Sequence, residues 1–560
     1  MSRALPVLAL LLASCVACNR EAPAPEAAPS AATAPLLGAT PPAAGAETRI
    51  ATDVRTLAAD DMEGREAGTR GYDKAAGYVA GRMRELGLQP AGDDGTFFQA
   101  VPLLRALREA EGAQLDIVHA GKTVRLRFRE QFLPAPNYNA TTAEVAAPAV
   151  FVGYGVHAPE LGHDDFAGVD LAGKIVVLFN GAPARFDNDR RAFHSSGREK
   201  LRALEQRGAV GAVFVNTAED EARSPWQRGA ANWDRPGMRL RGEDGKGVDT
   251  FPGLKVVASV SAAAADFVFE GSGKLAPELL ADAKAGTSKP FALPATLSLA
   301  ARTRIEAVES RNVVGRLPGS DDALSGEHVV YTAHLDHVGI GAAVDGDNIY
   351  NGALDNALGV AIMLETAREL AAAKPAPKRS MLFAAVTAEE KGLLGATWLA
   401  THAPAGVEAM VANVNLDMPV LLAPSKDVVP IGVEHSSLQA VLETAAGDIG
   451  VDLSPDPYPE EVIFVRSDQY PFIRQGVPAV YLVGGMVSAD GKRDPKLANL
   501  KFMRETYHQP GDEADLPIAW GDAARLARLN ARIGALTGDA AQAPRWNEGD
   551  FFGERFAPRR

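Results

Sequence analysis

Cysteine is nearly absent from this sequence. Among 560 residues there are two, Cys15 and Cys18, both close to the N-terminus. The body of the chain therefore has no disulfide framework, no thiolate zinc site and no cysteine nucleophile. Positive charge is also in deficit, since 57 Lys and Arg stand against 71 Asp and Glu for a net charge of −14. No nucleic-acid partner is expected, because phosphate binding needs clustered Lys and Arg. After the first residues no apolar run approaches the roughly 18 needed to cross a bilayer. The hydrolase elbow Gly-x-Ser-x-Gly and the zinc helix His-Glu-x-x-His are missing as well. What remains is globular in composition, 46% hydrophobic and 23% charged. At roughly 150 residues per domain the length corresponds to about three to four domain equivalents, enough for a large core.

The N-terminus reads Met1-Ser2-Arg3, then an apolar run from Ala4 to Ala13, then Ser14-Cys15. One positive charge, a short apolar stretch and small residues form an export signal, assigned to residues 1–18. The tetrad Leu12-Ala13-Ser14-Cys15 resembles a bacterial lipobox, which would lipidate Cys15, with Cys18 as the alternative; an ordinary cleaved signal is the other reading. The expectation is an exported bacterial lipoprotein, anchored through its N-terminal lipid only and facing the periplasm or the cell surface. Residues 21–48 hold 11 Ala and 6 Pro. Such a segment buries too little to offset its ordering entropy, so 19–48 is read as a linker.

Beyond it the pattern turns globular. Ala76, Val79, Met83 and Leu86 fall at helical spacing over Tyr72–Leu86, with Gly87 as the stop. Strands are predicted at Ala149–Val152, Lys174–Phe179 and Val210–Val215, with a polar helix over Glu199–Arg207. A strand–helix alternation then begins, with strands near His328–Ala333, Met381–Val386, Val411–Leu416 and Ala479–Val483 and a helix over Ala357–Ala371. That alternation predicts an α/β sheet. Gly153-Tyr-Gly155 loosely matches a dinucleotide fingerprint, but Pro159 and Gly162 occupy the place where its helix must open.

Five short stretches carry ligand chemistry, all at or after predicted strand ends. They are Tyr331-Thr-Ala-His334-Leu-Asp336-His337, Asn351-Gly-Ala-Leu-Asp355-Asn356, Thr387-Ala-Glu389-Glu390, Asn415-Leu-Asp417 and Tyr507-His508-Gln509. Alone, each has an ordinary explanation: a helix cap, a core histidine, a solvated helix start. Together they bring two His and several carboxylates to the carboxyl edge of one sheet, where α/β folds place ligands. Oxygen and imidazole donors without sulfur suit zinc, with cobalt or manganese as substitutes. His334, Asp355, Glu390, Asp417 and His508 are too many for one open catalytic ion, and enough for two if one carboxylate bridges. Adjacent Glu389 and Glu390 point in different directions, so one can bind metal while the other faces a water.

These stretches resemble the di-zinc aminopeptidases related to aminopeptidases S and Y, in the clan that includes glutamate carboxypeptidase. The likeness includes Met62-Glu-Gly-Arg65-Glu-Ala-Gly68 and Arg311-Asn-Val-Val-Gly-Arg-Leu-Pro-Gly319. It implies a phosphorylase/hydrolase-like α/β/α zinc-peptidase sheet over 49–130 and 296–540. An inserted β-rich protease-associated domain would occupy 131–295, where Gly153-Tyr-Gly155 and Asp164–Lys174 match that domain's pattern, and 541–560 would form a C-terminal tail. By the resemblance His334 and Asp417 bind one zinc, Glu390 and His508 the other, and Asp355 bridges them through a segment whose following peptide is cis. Glu389 is then the general base and Asp336 orients His334. Tyr507 and Asp468 are candidate substrate contacts, although Gln469 follows Asp468 where relatives often have His, and Leu354 replaces an Asp common in relatives. The implied activity is removal of N-terminal residues from peptides. The alternatives are a carboxypeptidase reading a C-terminal carboxylate through Arg466 or Arg474, and a metal-free binding protein on the same fold.

Overall fold

The computed structural model describes residues 44–558. The expected leader, Cys15 and Cys18 lie outside the described residues. Helix α1 (Ala46–Leu57) begins inside the stretch assigned to the linker, with Ala46 already buried. Helix α2 (Arg70–Glu85) starts where the Thr69 side chain accepts a hydrogen bond from the Tyr72 N–H, and it buries Ala76, Val79 and Met83 on one face.

Twelve of the strands among the described residues suffice to place the rest. In chain order they are β1 (Phe98–His119), β2 (Thr142–Phe151), β3 (Ile175–Phe179), β4 (Gly211–Val215), β5 (Gly237–Leu240) and β6 (Val256–Val260). Then follow β7 (Phe291–Leu317), β8 (Glu327–His334), β9 (Ser380–Val386), β10 (Ala409–Asn415), β11 (Asp427–Ile431) and β12 (Ala479–Gly484). The order β11–β12–β10–β8–β9–β7 builds one half of a continuous sheet, and β7–β2–β3–β4–β6 builds the other. In the first half β9, β8, β10 and β12 are mutually parallel neighbours. Every residue of β9 is buried, as a parallel strand covered on both faces requires. Helices α1, α3 (Leu358–Ala372) and α4 (Trp520–Asp539) pack on this half through Ile50 and Val54, Ile362 and Leu370, and Leu529 and Ile533.

The architecture is therefore the expected α/β sheet with a β-rich insertion, but the two parts are not joined by loops. β1 and β7 pair antiparallel from Phe98 opposite Val313 to Val118 opposite Thr296, and β7 runs through the boundary expected at 295–296. Gly153 and Gly155 lie in a turn with φ near 60–70°, and the Asp165 carboxylate accepts the N–H groups of Tyr154 and Val156. No helix opens there, so no dinucleotide site forms. The C-terminal segment is docked: Trp546 donates its indole N–H to the Gly476 carbonyl, and Phe552, in helix α5 (Phe551–Phe556), is fully buried. No helix among the described residues is long and apolar enough to cross a membrane.

Candidate metal centre

The parallel strands β8, β9 and β10 end side by side, and the chain leaving each delivers a donor within three or four residues. β8 ends on His334, β9 is followed by Thr387-Ala388-Glu389-Glu390, and β10 by Leu416-Asp417. Asp355 comes from the turn that opens α3, where the Asp355–Asn356 peptide is cis. His508 arrives from the far end of the chain, in a left-handed backbone conformation (φ 54°).

Two donor groups result, and Asp355 belongs to both. On one side His334 Nε2 stands 2.9 Å from Asp417 Oδ1 and 3.3 Å from Asp355 Oδ1. On the other, His508 Nε2 is 3.1 Å from Asp355 Oδ2 and 3.1 Å from Glu390 Oε1. Each oxygen of Asp355 thus faces a different group, the arrangement that a bridging carboxylate requires.

The second group contains a residue that sequence reasoning left without a role. His337 is fully buried, and its Nδ1 lies 2.9 Å from Glu390 Oε1 and 3.6 Å from Asp355 Oδ2. The only signal was its place directly after Asp336, at the end of a strand that already supplied one histidine.

Surrounding polar groups hold the donors. His334 Nδ1 meets the backbone carbonyl of Asp336 at 3.0 Å. The Asp336 carboxylate instead accepts the N–H groups of Glu389 (3.0 Å) and Glu390 (3.3 Å). The Asp336 backbone thus meets His334 while its carboxylate orders the surroundings of the ligand, because β8 stops at His334 and Asp336 turns toward the loop after β9. Ser467 donates to Asp417 Oδ2 (2.6 Å) and is itself held by Asn415 (2.8 Å). Asp512 accepts the N–H groups of Leu354 (2.9 Å) and Asp355 (3.0 Å). The guanidinium of Arg65, fully buried, donates to the carbonyls of Leu57, Leu335, Asn351 and Gly352 and ties the loops carrying Asp336 and Asp355 together.

The two candidate substrate contacts separate. Tyr507 is partly exposed and stacks on His508 with ring centroids 3.9 Å apart. Asp468 is 0% exposed, and neither carboxylate oxygen has a hydrogen-bond partner. Burial and the neighbouring carboxylates of Asp417 and Asp336 push its proton affinity well above the usual carboxylate range. Arg466 is on the surface, paired with Glu461 at 3.3 Å.

The electrostatics describe a place for cations. Burial opposes charge on every group here, yet Asp417 and Glu389 hold the His334 imidazolium well above its ordinary pKa, and Glu390 and Asp355 raise that of His508 to about 10. Burial instead lowers the pKa of His337, the third imidazole of the centre. Burial pushes Glu389 the other way, well above the usual carboxylate range, with Asp417, Asp468 and Glu390 adding repulsion against the opposing pull of His334. Within each group all donor atoms lie within 4.8 Å of one another, and all are nitrogen or carboxylate oxygen. That donor set fits zinc or a similar ion.

Residues 312–533 match the profile of peptidase family M28, and residues 135–248 match the PA domain. The chain carries an M28 peptidase domain with an inserted PA domain. The M28 profile runs from the end of β7 into α4 and includes every donor named above. A probable zinc metalloprotease of Pyrenophora teres f. teres (strain 0-1) is 40% identical over 116 residues, 20% of this chain and 23% of that relative's length. The aminopeptidase from Aneurinibacillus sp. strain AM-1 shares the fold at 20% identity and a TM-score of 0.52, over 90% of this chain and 95% of that one. For BSAP, a zinc aminopeptidase from Bacillus subtilis, the identity is 18% and the TM-score 0.43, over 87% and 94% of the two chains.

Proposed function

We propose that the protein is an exported, co-catalytic di-zinc aminopeptidase. The observation that carries this reading is Asp355, whose two oxygens each face a separate set of nitrogen and oxygen donors. His334, Asp417 and Asp355 would hold one ion; Glu390, His508, His337 and Asp355 would hold the other. When bound, such ions supply Lewis acidity and lower the pKa of a water toward neutrality.

The chain's own residues do the rest. Glu389, fixed through its backbone N–H by Asp336, takes the proton from the attacking water and returns it to the departing amine. Burial raises the proton affinity of Glu389 above that of an ordinary carboxylate, the direction that a proton-accepting residue needs. The aminopeptidase reading is supported by the resemblance of the five ligand stretches to di-zinc aminopeptidases and by the fold shared with the aminopeptidase from Aneurinibacillus sp. strain AM-1. Export and lipid attachment at Cys15 or Cys18 belong to the same proposal and rest on the sequence.

The test is hydrolysis of a chromogenic leucine amide beside its N-acetylated twin, with zinc-loaded and chelator-stripped chain. Zinc-dependent cleavage of the free amine alone is the expected result. Cleavage of the acetylated twin at the same rate, or of neither, would overturn the aminopeptidase assignment.

A further inference from the structure

A cavity of about 300 Å³ opens beside the second donor group. Glu390 and His508 form one wall, and Arg108, Arg235 and Arg239 face it from β1 and from the inserted region. The insertion reaches this position because β5 returns to β1, pairing Gly237 with Ala106 and Leu240 with Leu103. Three guanidinium groups thus stand over an edge that is otherwise acidic.

They are not satisfied by the protein. Among the described residues Arg108, Arg235 and Arg239 make no ion pair. Arg235 has its Nε and Nη2 buried without a hydrogen-bond partner, as has Arg108 its Nε. Lys391, also in the wall, is already neutralised by Glu66 at 2.7 Å. Nonetheless the arginines are held in place. Arg235 lies 4.2 Å over the Tyr350 ring, whose hydroxyl is fixed on the Ala342 carbonyl at 2.8 Å. A Cβ at Gly341 would come within 2.1 Å of Arg235 Nη2, so the glycine leaves the room that the guanidinium occupies. Arg239 lies 4.9 Å over Tyr138 and donates to the Met238 carbonyl at 2.7 Å. Unpaired, partly buried cations are costly unless an anion completes them, and a fixed planar fork matches a carboxylate in two bonds.

We propose that this cavity is a substrate subsite that takes a carboxylate of the peptide, with Arg235 as the principal contact and Arg239 and Arg108 beside it. It lies against Glu390 and His508, so the anion belongs to a molecule already seated at the metal centre. The inference rests on the peptidase reading and adds a substrate class: short peptides ending in a free carboxylate close to the scissile bond, or peptides with an acidic side chain there.

Two matched pairs distinguish the sources when hydrolysed by the zinc-loaded full chain. Leucyl-alanine against its C-terminal amide tests the free terminus, and leucyl-aspartyl amide against leucyl-asparaginyl amide tests the side chain. The charged member of at least one pair should show kcat/KM about tenfold or more above its neutral twin, expressed mainly in KM. Arg235→Gln and Arg239→Gln should each move that ratio toward one, while Arg235→Lys, which keeps charge and loses the fork, should retain part of it. A ratio of one in the unaltered chain, or a preference that survives the double glutamine variant, overturns the subsite. Calorimetry with D-leucyl-alanine and its amide reads the same site without turnover. If no peptide is cleaved but the acid alone binds, and binding is lost in Arg235→Gln, the peptidase reading fails and the carboxylate site stands. If acid and amide bind alike, the site falls.

Discussion

Glu389 and His337 sit within one loop's width of each other and make opposite demands on an experiment. Glu389 belongs to neither donor group, so Glu389→Gln should keep its full zinc content while kcat falls by roughly two to four orders of magnitude. Elemental analysis beside turnover checks both halves of that statement. His337 belongs to the second group, and His337→Ala should lower the affinity for one ion by about 10–100-fold and leave the other in place. Competition with a chelator, followed by metal content, shows whether one ion or both become labile. The sequence made five of the donors legible because each lies at a strand end with a residue type that has few other reasons to be there. His337 was not legible, since a histidine beside a ligand motif reads equally as packing. Which of the two tasks open to the Asp336 carboxylate, His334 or its surroundings, was not legible, because alternation along a strand holds only while the strand lasts and β8 ends two residues earlier.

Secondary elements were read well wherever one period dominated. The buried run of β9, the alternation around β8 and α3, and the apolar stripe of α2 all fall within a few residues of expectation. What periodicity could not reveal is how distant segments brace the site. Arg65 leaves a short turn before α2 and reaches four backbone carbonyls, two of them in the turn that presents Asp355. Arg65→Met would leave those carbonyls buried and unpaired, and a loss of about 3 kcal/mol or more is expected in urea unfolding. The C-terminal segment is another brace. His435 Nδ1 meets Asp550 Oδ2 at 2.7 Å, next to α5. Burial alone would depress that imidazolium, but the Asp550 hydrogen bond with the charges of Asp189 and Asp550 outweighs it, and the pKa is raised. A raised histidine contributes stability in full below its unfolded value of about 6.5, and loses it as pH climbs through the higher folded value. Asp550→Asn should therefore lower Tm clearly at about pH 6 and much less at about pH 9. An equal deficit at both values would refute the pairing.

At the level of the molecule, the metal centre is a concentration of buried negative charge that only cations or protons offset. Zinc at about 100 times its dissociation constant should stabilise the chain by roughly 2.7 kcal/mol per site, and a chelator should lower Tm correspondingly. A Tm indifferent to zinc would mean that these donors do not take it. The overall α/β class and the presence of an insertion were visible in the sequence, because strand–helix alternation and a change of texture are local signals. The continuity between the parts was not, since a 27-residue strand shared by two domains has no signature of its own. That shared strand has a mechanical meaning. A domain hung on loops swings freely, but here the paired strands β1 and β7 enter both bodies, flanked by β5 at one end and by β2 at the other. Displacing the insertion must bend or twist these strands as an elastic beam does, and the register shift between Ala300 and Arg302 interrupts their ladder. The arginines on and before β5 are carried by the part of β1 on the peptidase side of that shift, so a bend beyond it would leave them in register with the sheet.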